Sequence, residues 1–429
     1  MDIKEYKCPN CGGAVKFDSS SQKMKCPYCD AEFEIKALEE YNFDWGEKKV
    51  EETLNESELD DLSTGVCPSC AAELLGDKNT VAMVCPCCGN AQIVNQRLSG
   101  FLKPDYLIPF KQDKKAAIEA LKKFSKGKRL LPDFFTQENH IKNIQGLYVP
   151  FWLFDAKADG HICYKATKEK SRKDSSFVYT ETNFYSVVRD GSVSFEKIPV
   201  DGSEKMDDAY MDAIEPFNYK QLKEFNTSFL AGYIAEKYDV DAEKSKERAE
   251  KRIKASVEAE FARSIEGYNS VEIESSSINV KGSTPSYALF PVWVLNTKYK
   301  EKKYLFMMNG ESGRLVGKLP IDTRKIWKYG FKYSGILSII FAILFIAIFM
   351  LDKRGLVNVG LSAQEILMYM LVALICALGI GFGYVWSWRS SMNTAVSSGQ
   401  ANAYMVHDSL EFREKRDKFL YNTVSKTKR

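Results

Sequence analysis

Eight cysteines near the N-terminus form four pairs with the spacing of metal ligands. Cys8 and Cys11 make the first pair and Cys26 and Cys29 the second, with fourteen residues between the pairs. The arrangement repeats 59 residues later, as Cys67, Cys70, Cys85 and Cys88. A C-x2-C turn places two thiolates on one side of a tight turn, and a second such turn completes a tetrahedron around Zn²⁺. We therefore predict two zinc ribbons that bind two Zn²⁺ ions.

These sites are predicted to be structural rather than catalytic, because four thiolates leave no open position on the metal. Each ribbon is too small to bury a useful core, so zinc supplies much of its folding free energy. Cys87 lies inside the last pair, where either Cys87 or Cys88 can reach the metal and the spacing favours Cys88. Cys87 is then a bystander or a redox-active thiol.

The distribution of cysteines points to a reducing compartment. Nine of the eleven cysteines lie in the first 88 residues, and Cys163 and Cys376 are isolated. This is a metal-binding pattern and not a disulfide framework. The first ten residues have charges but no apolar run, so we expect no signal peptide and look elsewhere for membrane targeting.

The net charge of +3 hides an uneven distribution. Residues 37–64 carry ten acidic side chains against two basic ones, whereas from Arg389 onward eight basic residues stand against four acidic ones. Residues 1–36 hold six of each sign. Nucleic-acid binding depends on clustered Lys and Arg, which neither ribbon offers, so we expect protein partners.

Two apolar segments near the C-terminus predict a membrane hairpin. Residues 334–351 and 366–388 contain 18 and 23 residues without a charged side chain, enough to cross a hydrocarbon core of about 30 Å. Fourteen residues join them. Aromatic residues stand at their ends like interfacial anchors: Trp327, Tyr329, Tyr333, Trp386 and Trp388.

The flanking charges predict the orientation of the hairpin. Arg324, Lys325, Lys328 and Lys332 precede it and Arg389 follows it. By the positive-inside rule the protein is a multi-pass protein of the cell membrane with both termini in the cytosol. Small residues spaced four apart in the second span allow either packing against the first span or oligomerisation: Ala373, Ala377 and Gly381.

The middle of the chain predicts an α+β domain with an antiparallel sheet. Helical patterns cover 113–127 and 239–265, and the charges of the second helix are read as a solvated face. Strand patterns cover 147–158, 176–188, 277–282 and 288–300, and Asn309-Gly310 marks a hairpin turn.

The predicted fold class is thus α+β, with two N-terminal zinc ribbons, an antiparallel-sheet domain and a C-terminal two-helix transmembrane hairpin. The predicted boundaries are ribbon 1 at 1–36, an acidic linker at 37–64, ribbon 2 at 65–97, the α+β cytosolic domain at 98–325, membrane helices at 333–351 and 366–388, and a basic cytosolic tail at 389–429.

No catalytic pattern is visible in the sequence. The three histidines, His140, His161 and His407, show no metal-ligand or triad spacing with a nucleophile, and HExxH, GxSxG and Gly-rich phosphate loops are absent from the sequence. Asp155, Asp207 and Asp208 could act as acid and base in some arrangement, but carboxylates at a sheet edge are usually solvated, and we interpret them so. We expect a protein that is not an enzyme.

The chain resembles the bacterial TFIIB-type zinc-ribbon-containing membrane proteins that are common in Gram-positive bacteria. The resemblance rests on these segments: Asp105-Tyr-Leu-Ile-Pro-Phe110, Tyr148-Val-Pro-Phe-Trp-Leu-Phe-Asp155, Pro216-Phe-Asn-Tyr219, residues 229–239, and Asn309-Gly310 with Gly313 and Gly317. Relatives encoded beside a phage-shock-type coat protein and its SPFH-like partner imply a membrane receptor that recruits stress proteins. Most relatives carry one ribbon, so the second ribbon here departs from the pattern.

The sequence therefore favours a membrane-anchored zinc-ribbon scaffold that recruits cytosolic proteins, with envelope stress as the setting implied by the resemblance. The alternative is a membrane-tethered nucleic-acid-binding protein, based on fold analogy for the ribbons and on the basic C-terminal segment. Attraction to anionic lipid explains that basic segment as well.

Overall fold

The computed structural model places a large mixed sheet, several helices and two long apolar helices in an α+β arrangement, which confirms the predicted class at this level. It describes residues 3–4, 6–42, 62–66, 73–77, 80–84, 91–94, 103–136, 144–174, 177–282, 285–299, 302–353, 363–394 and 399–428. Most of the predicted acidic linker, 43–61, lies outside these residues.

Within the described ranges the strands are β1 Ile3–Lys4, β2 Lys16–Asp18, β3 Lys23–Lys25, β4 Glu32–Phe33, β5 Leu62–Val66, β6 Glu73–Asp77, β7 Thr80–Val84, β8 Ala91–Val94, β9 Tyr106–Leu107, β10 Gln145–Lys173, β11 Phe177–Asp201, β12 Lys223–Glu224, β13 Ile234–Glu236, β14 Ser270–Gly282, β15 Ser286–Tyr299, β16 Lys302–Asn309, β17 Leu315–Gly317 and β18 Glu411–Lys428. The α-helices are α1 Ile35–Asn42, α2 Lys114–Ser125, α3 Asp208–Ala213, α4 Ala242–Arg263, α5 Thr323–Lys353 and α6 Ala363–Ser387.

Strand β10 lies at the centre of the main sheet. Its first half, residues 145–153, pairs antiparallel with β15, and Leu147 and Tyr148 also pair in parallel with β13. Its second half lies between β14 and β11. From β13 the sheet continues through β7 and β8 to β1, and from β15 through β16 to β17. Strands next to both cysteine groups therefore belong to the same sheet as the middle domain.

Strands β14, β10, β11 and β18 form a long antiparallel arm. The C-terminal segment was expected as a basic tail, but residues 411–428 pair with β11 along residues 177–192. The pairing satisfies backbone groups of β11 that would otherwise form an open edge. Before this strand, Ala401 is buried and its N–H donates to the Ser256 hydroxyl at 2.7 Å. The segment is therefore part of the folded domain.

Helix α4 covers one face of the arm. Its contact face consists of four buried side chains spaced four residues apart: Ala249, Ile253, Val257 and Phe261. Gly160 of β10 lies beneath this face, and a Cβ there would come within 3.0 Å of a Val257 methyl group and 3.1 Å of the Phe261 ring. The glycine therefore allows helix and sheet to approach closely.

Most charged side chains of α4 are exposed, as expected for a solvated face, but Arg252 is buried and Arg248 is partly buried. Arg252 is only 4% exposed and donates to the two Glu215 carboxylate oxygens at 3.1 and 2.6 Å. Arg248 pairs with Asp201 at 2.6 Å and also with Asp212. Burial raises the pKa of Glu215 to about 7, although Arg252 acts to lower it. Charge pairs as well as apolar contacts therefore hold α4 in place.

The two apolar helices are tied to the main domain where α5 begins. The Asp322 N–H donates to the Leu130 carbonyl at 2.9 Å. Lys325 Nζ donates to the Leu131 carbonyl at 2.6 Å. Helix α6 returns antiparallel to α5, because Gly381 near its end lies against Ser334 near the start of the apolar run. The two helix ends nearest the domain therefore lie side by side.

We predict that Arg252→Met lowers the free energy of unfolding by about 3 to 5 kcal/mol, because it leaves the Glu215 carboxylate buried without its partner. The double variant Arg252→Met/Glu215→Leu should recover part of this loss. Arg263, on the exposed end of α4 and paired with Glu260, gives the control, since Arg263→Met should cost less than about 1 kcal/mol. Chemical unfolding of the detergent-solubilised chain measures the free energy of unfolding of all three variants. Equal decreases for Arg252→Met and Arg263→Met would contradict the prediction.

Candidate metal centre and apolar helices

The first two cysteine pairs lie in turns of the same backbone geometry. In each turn the first cysteine's carbonyl accepts from an N–H four residues later, at 2.8 Å from Gly12 and 3.0 Å from Asp30. Gly12 and Asp30 both have positive φ, of 71° and 55°. This left-handed residue reverses the chain after each pair, so that the two turns present their thiols in equivalent ways.

The structure brings together the four predicted ligands Cys8, Cys11, Cys26 and Cys29. Their sulfur atoms all lie within 4.8 Å of one another. Cys8 Sγ lies 3.6 Å from Cys29 Sγ, and Cys11 Sγ lies 3.5 Å from Cys26 Sγ. A tetrahedral site with metal–sulfur bonds of about 2.3 Å has sulfur–sulfur distances of about 3.8 Å, and a disulfide needs about 2.0 Å. The cluster therefore fits a single tetrahedral metal ion.

The protonation of these thiols also fits a cation site. Burial acts to raise the pKa of Cys26, but the backbone N–H groups of Tyr28 and Cys29 and two neighbouring thiols lower it to about 7. At Cys29 the Ala31 N–H acts to lower the pKa, but burial and the three other thiols raise it to about 12. A cation at the centre of the four thiols would favour their full deprotonation.

This cysteine cluster is packed onto the main domain. The Tyr6 hydroxyl lies 2.8 Å from the Thr227 hydroxyl, and the rings of Phe17 and Phe229 meet edge to face at 5.1 Å. The Phe17 N–H also donates to the carbonyl of Ala231 at 3.0 Å. These contacts lie on the segment that leads into β13, so the cluster is held against the central sheet.

Cys67, Cys70, Cys85 and Cys88, like Cys87, lie outside the described residues, but the strands beside the four predicted ligands are described. Val66 is paired with Glu73 on either side of Cys67 and Cys70, and Val84 is paired with Ala91 on either side of Cys85 and Cys88. In the first group the corresponding pairs are Lys7 with Ala14 and Lys25 with Glu32. Each position in the second group is its counterpart in the first plus 59, so the strand pairing repeats with the cysteines.

The arm brings together three side chains that sequence analysis did not connect. His161 Nδ1 lies 2.9 Å from an Asp190 carboxylate oxygen, and His161 Nε2 lies 3.7 Å from Cys163 Sγ. His161 and Cys163 share a face of β10, as strand alternation implies. Asp190 is their neighbour through the β10–β11 register, which the sequence pattern does not show. His140 lies outside the described residues, and exposed His407 contacts Asp408.

The carboxylates considered as catalytic groups have structural contacts in the described chain. Asp155 accepts from the Lys197 N–H at 2.7 Å. Asp207 caps α3 and Asp208 pairs with Arg248 at 2.8 Å. Each of the three carboxylates therefore has a hydrogen-bond or ion-pair partner within the folded domain.

Both C-terminal helices are long and apolar enough to cross a membrane. The side chains of the apolar runs are mostly exposed, whereas Ala377 and Gly381 face α5. A Cβ on Gly381 would lie 2.7 Å from the Ser334 backbone nitrogen, but a Cβ on Gly379 would meet no atom within 4 Å. These small residues therefore serve packing within the helix pair, while oligomerisation stays a prediction.

Comparison with known proteins identifies one relative. The chain is 35% identical over 334 residues to "Uncharacterized protein YdjG" of Bacillus subtilis strain 168, and the alignment covers 78% of this chain and 94% of the relative. No family profile and no solved structure matches the chain.

We predict that Cys8→Ser/Cys26→Ser lowers the metal content of the purified protein by about one ion per chain, because two of four ligands are lost. Cys163→Ser is the control and should leave the content unchanged. Elemental mass spectrometry measures both variants, and an unchanged metal content in Cys8→Ser/Cys26→Ser would show that these thiols do not hold the ion.

We also predict that Gly381→Val destabilises the helix pair by about 1 to 3 kcal/mol, since its side chain would overlap the α5 backbone. Gly379→Val, two residues away in the same helix, should have little effect. Thermal unfolding in detergent compares the two variants. A similar loss in both would indicate a general effect of β-branching in α6 instead of this contact.

Proposed function

This chain belongs to the family of the Bacillus subtilis protein YdjG, and on that premise we propose that it is an integral-membrane zinc-ribbon adaptor that recruits cytosolic proteins to the cell membrane. We include in the proposal that the family is the one the sequence resembles, the TFIIB-type zinc-ribbon membrane proteins. The adaptor has no catalytic role.

The observation that carries the proposal is a closed four-thiol cluster fixed to a domain that is itself bonded to two apolar helices. Four sulfur ligands around one ion leave no position for a substrate. The cluster contacts the residues before β13, and the domain holds the start of α5 through Leu130 and Leu131. A metal site of this kind maintains a recognition surface next to the membrane.

The proposed metal is Zn²⁺ at two sites. Four thiolates in a tetrahedron suit Zn²⁺ or an iron–sulfur centre, and the pairing of short strands with C-x2-C turns is that of a zinc ribbon. The repeated register of the strands beside Cys67, Cys70, Cys85 and Cys88 supports a second ion held in the same way.

The proposed orientation has both termini in the cytosol. The helix ends nearest the domain lie side by side, with Tyr333 of α5 against Trp388 just after α6 at 5.7 Å. Arg324, Lys325 and Arg389 lie at these ends. By the positive-inside rule, the side of the membrane where these basic residues lie is the cytosolic side. Free thiols also require a reducing compartment.

The arm supports a protein partner. Its edge strand β18 has four apolar side chains that are each between 46 and 64% exposed: Phe419, Leu420, Tyr421 and Val424. Neighbouring exposed apolar side chains are typical of interaction surfaces. By the resemblance, the partner class is the phage-shock-type coat protein, and the setting is envelope stress.

The basic C-terminal segment gives little support to nucleic-acid binding. Arg413 pairs with Asp159 at 2.7 Å and with Asp190 at 2.6 Å. Arg416 pairs with Glu414 at 3.3 Å. Carboxylates beside these arginines oppose the approach of phosphate.

We predict that affinity capture of the tagged chain from crosslinked native membranes recovers a defined cytosolic protein, and that Leu420→Asp/Val424→Asp reduces this recovery at least about tenfold by placing charge on the exposed edge. Replacing all eight presumed zinc cysteines with serine should also abolish capture. The control is Lys114→Asp/Lys115→Asp, two exposed residues at the start of α2.

Recovery of nucleic acid alone, with a steep dependence on salt, would replace the adaptor proposal by nucleic-acid binding. Capture that depends on Cys163 and is insensitive to the ribbon and β18 variants would instead favour a thiol-based function at the His161–Cys163–Asp190 cluster.

A further inference from the structure

A cleft of about 270 Å³ lies where the main domain meets the apolar helices. Lys128, Arg129 and Leu130, in the loop after α2, form one wall. Tyr384, Trp388 and Ser391, at the end of α6 and just beyond it, form the other. The lining thus combines two cations with two aromatic rings.

The cleft lies at the end of the apolar runs. Tyr333, which contacts its wall, directly precedes the uncharged run that begins at Ser334. Trp388 follows directly after the last residue of α6. Tyr and Trp at such positions mark the level of lipid headgroups, so the cleft opens where the phosphates of a bilayer would be.

The cations of the cleft are held in place by hydrogen bonds and ring contacts. Arg129 donates from Nη1 to the Tyr333 hydroxyl at 2.7 Å, and its guanidinium lies 5.0 Å from the centre of the Trp388 ring. Lys128 Nζ donates to the Ser391 carbonyl at 2.7 Å. These contacts use one guanidinium N–H and one ammonium N–H, and both groups have further N–H donors.

The surroundings of the cleft are strongly basic. Eight further basic residues lie on α2, on the loop after it and at the near ends of the apolar helices: Lys122, Lys123, Lys126, Arg324, Lys325, Lys328, Lys332 and Arg389. Of the nearby acids, Asp133 is paired with Lys325 at 2.6 Å, and Asp322 accepts from the Arg324 N–H. The local potential therefore attracts anions.

We propose that this cleft binds the phosphate of an anionic phospholipid. Arg129 and Lys128 hold the phosphate oxygens, and Tyr384 and Trp388 lie against the glycerol and the first methylene groups. Arginine suits this role because its planar fork binds two phosphate oxygens at once. This proposal rests on the proposed membrane insertion. The bound lipid, together with the protein contacts, then sets the angle at which the domain lies on the bilayer.

The test uses the full chain, purified in a neutral detergent and titrated with phosphatidylglycerol or phosphatidylcholine while native mass spectrometry counts bound lipids. We expect preferential binding of phosphatidylglycerol, reduced about tenfold to thirtyfold in Lys128→Gln/Arg129→Gln. Lys114→Gln/Lys115→Gln removes the same charge at the far end of α2 and should keep the preference. Thermal unfolding shows whether each variant is folded.

An equal loss of phosphatidylglycerol binding in both double variants would overturn the proposal, because the binding would then depend on the net charge of the chain and not on the cleft. Displacement of phosphatidylglycerol by low-millimolar inorganic phosphate, with no dependence on acyl chains, would assign the cleft to free phosphate and also overturn it. Membrane fractionation of the wild-type chain distinguishes a failure of the proposed membrane anchor from a failure of the proposed phospholipid site. A soluble chain would refute the membrane anchor, whereas a membrane-inserted chain without lipid preference would refute only this site.

Discussion

The pairing of strand β10 is the constraint on which the rest of the structure depends. One strand of 29 residues bonds to β15 and β13 along its first half and to β14 and β11 along its second. The cysteine cluster is connected to β10 through the segment before β13, and the apolar helices are connected to it through β15, β16 and β17. A change in the register of β10 by one residue would move every side chain of both halves to the opposite face of the sheet. The positions of the cluster, arm and helices therefore depend on the hydrogen-bond ladders of one strand.

A metal ion in the cluster of Cys8, Cys11, Cys26 and Cys29 would stabilise more than the two turns that hold it. Four neighbouring thiolates repel one another, so an ion bound between them would couple the loss of the thiol protons to the ordering of the two turns. Phe17 and Tyr6, which the ordered turns position, pack on Phe229 and Thr227. Gln22 adds a hydrogen bond to the Phe110 carbonyl at 2.7 Å, beside β9. Part of the free energy of binding a metal there would therefore be shared with the packing of the sheet.

Features with a local physical cause could be predicted from the sequence, and those set by distant pairing could not. The cysteine spacing indicated the cluster because a metal constrains its own ligands. Helix α2 lies within the predicted range 113–127, with Asp113 as its cap, and α4 begins at Ala242, three residues after the predicted start at 239, with Asp241 as its cap. In contrast, β18 pairs with a strand more than 200 residues earlier, and its charged sequence resembles a solvated tail. The Arg252–Glu215 pair was missed for the same reason, since sequence shows charge but not burial.

The connections between the domain and the apolar helices limit how the domain can move relative to the helices. Only residues 318–322 separate β17 from α5, and Lys318 in that link pairs with Asn393 beyond α6. The Leu319 N–H also donates to the Met392 carbonyl at 2.8 Å. The short link before α5 is thus bonded to the segment just after α6, which limits the freedom that a flexible linker would give. A partner bound to the domain would be held at one height above the helix ends instead of searching a volume around an anchor.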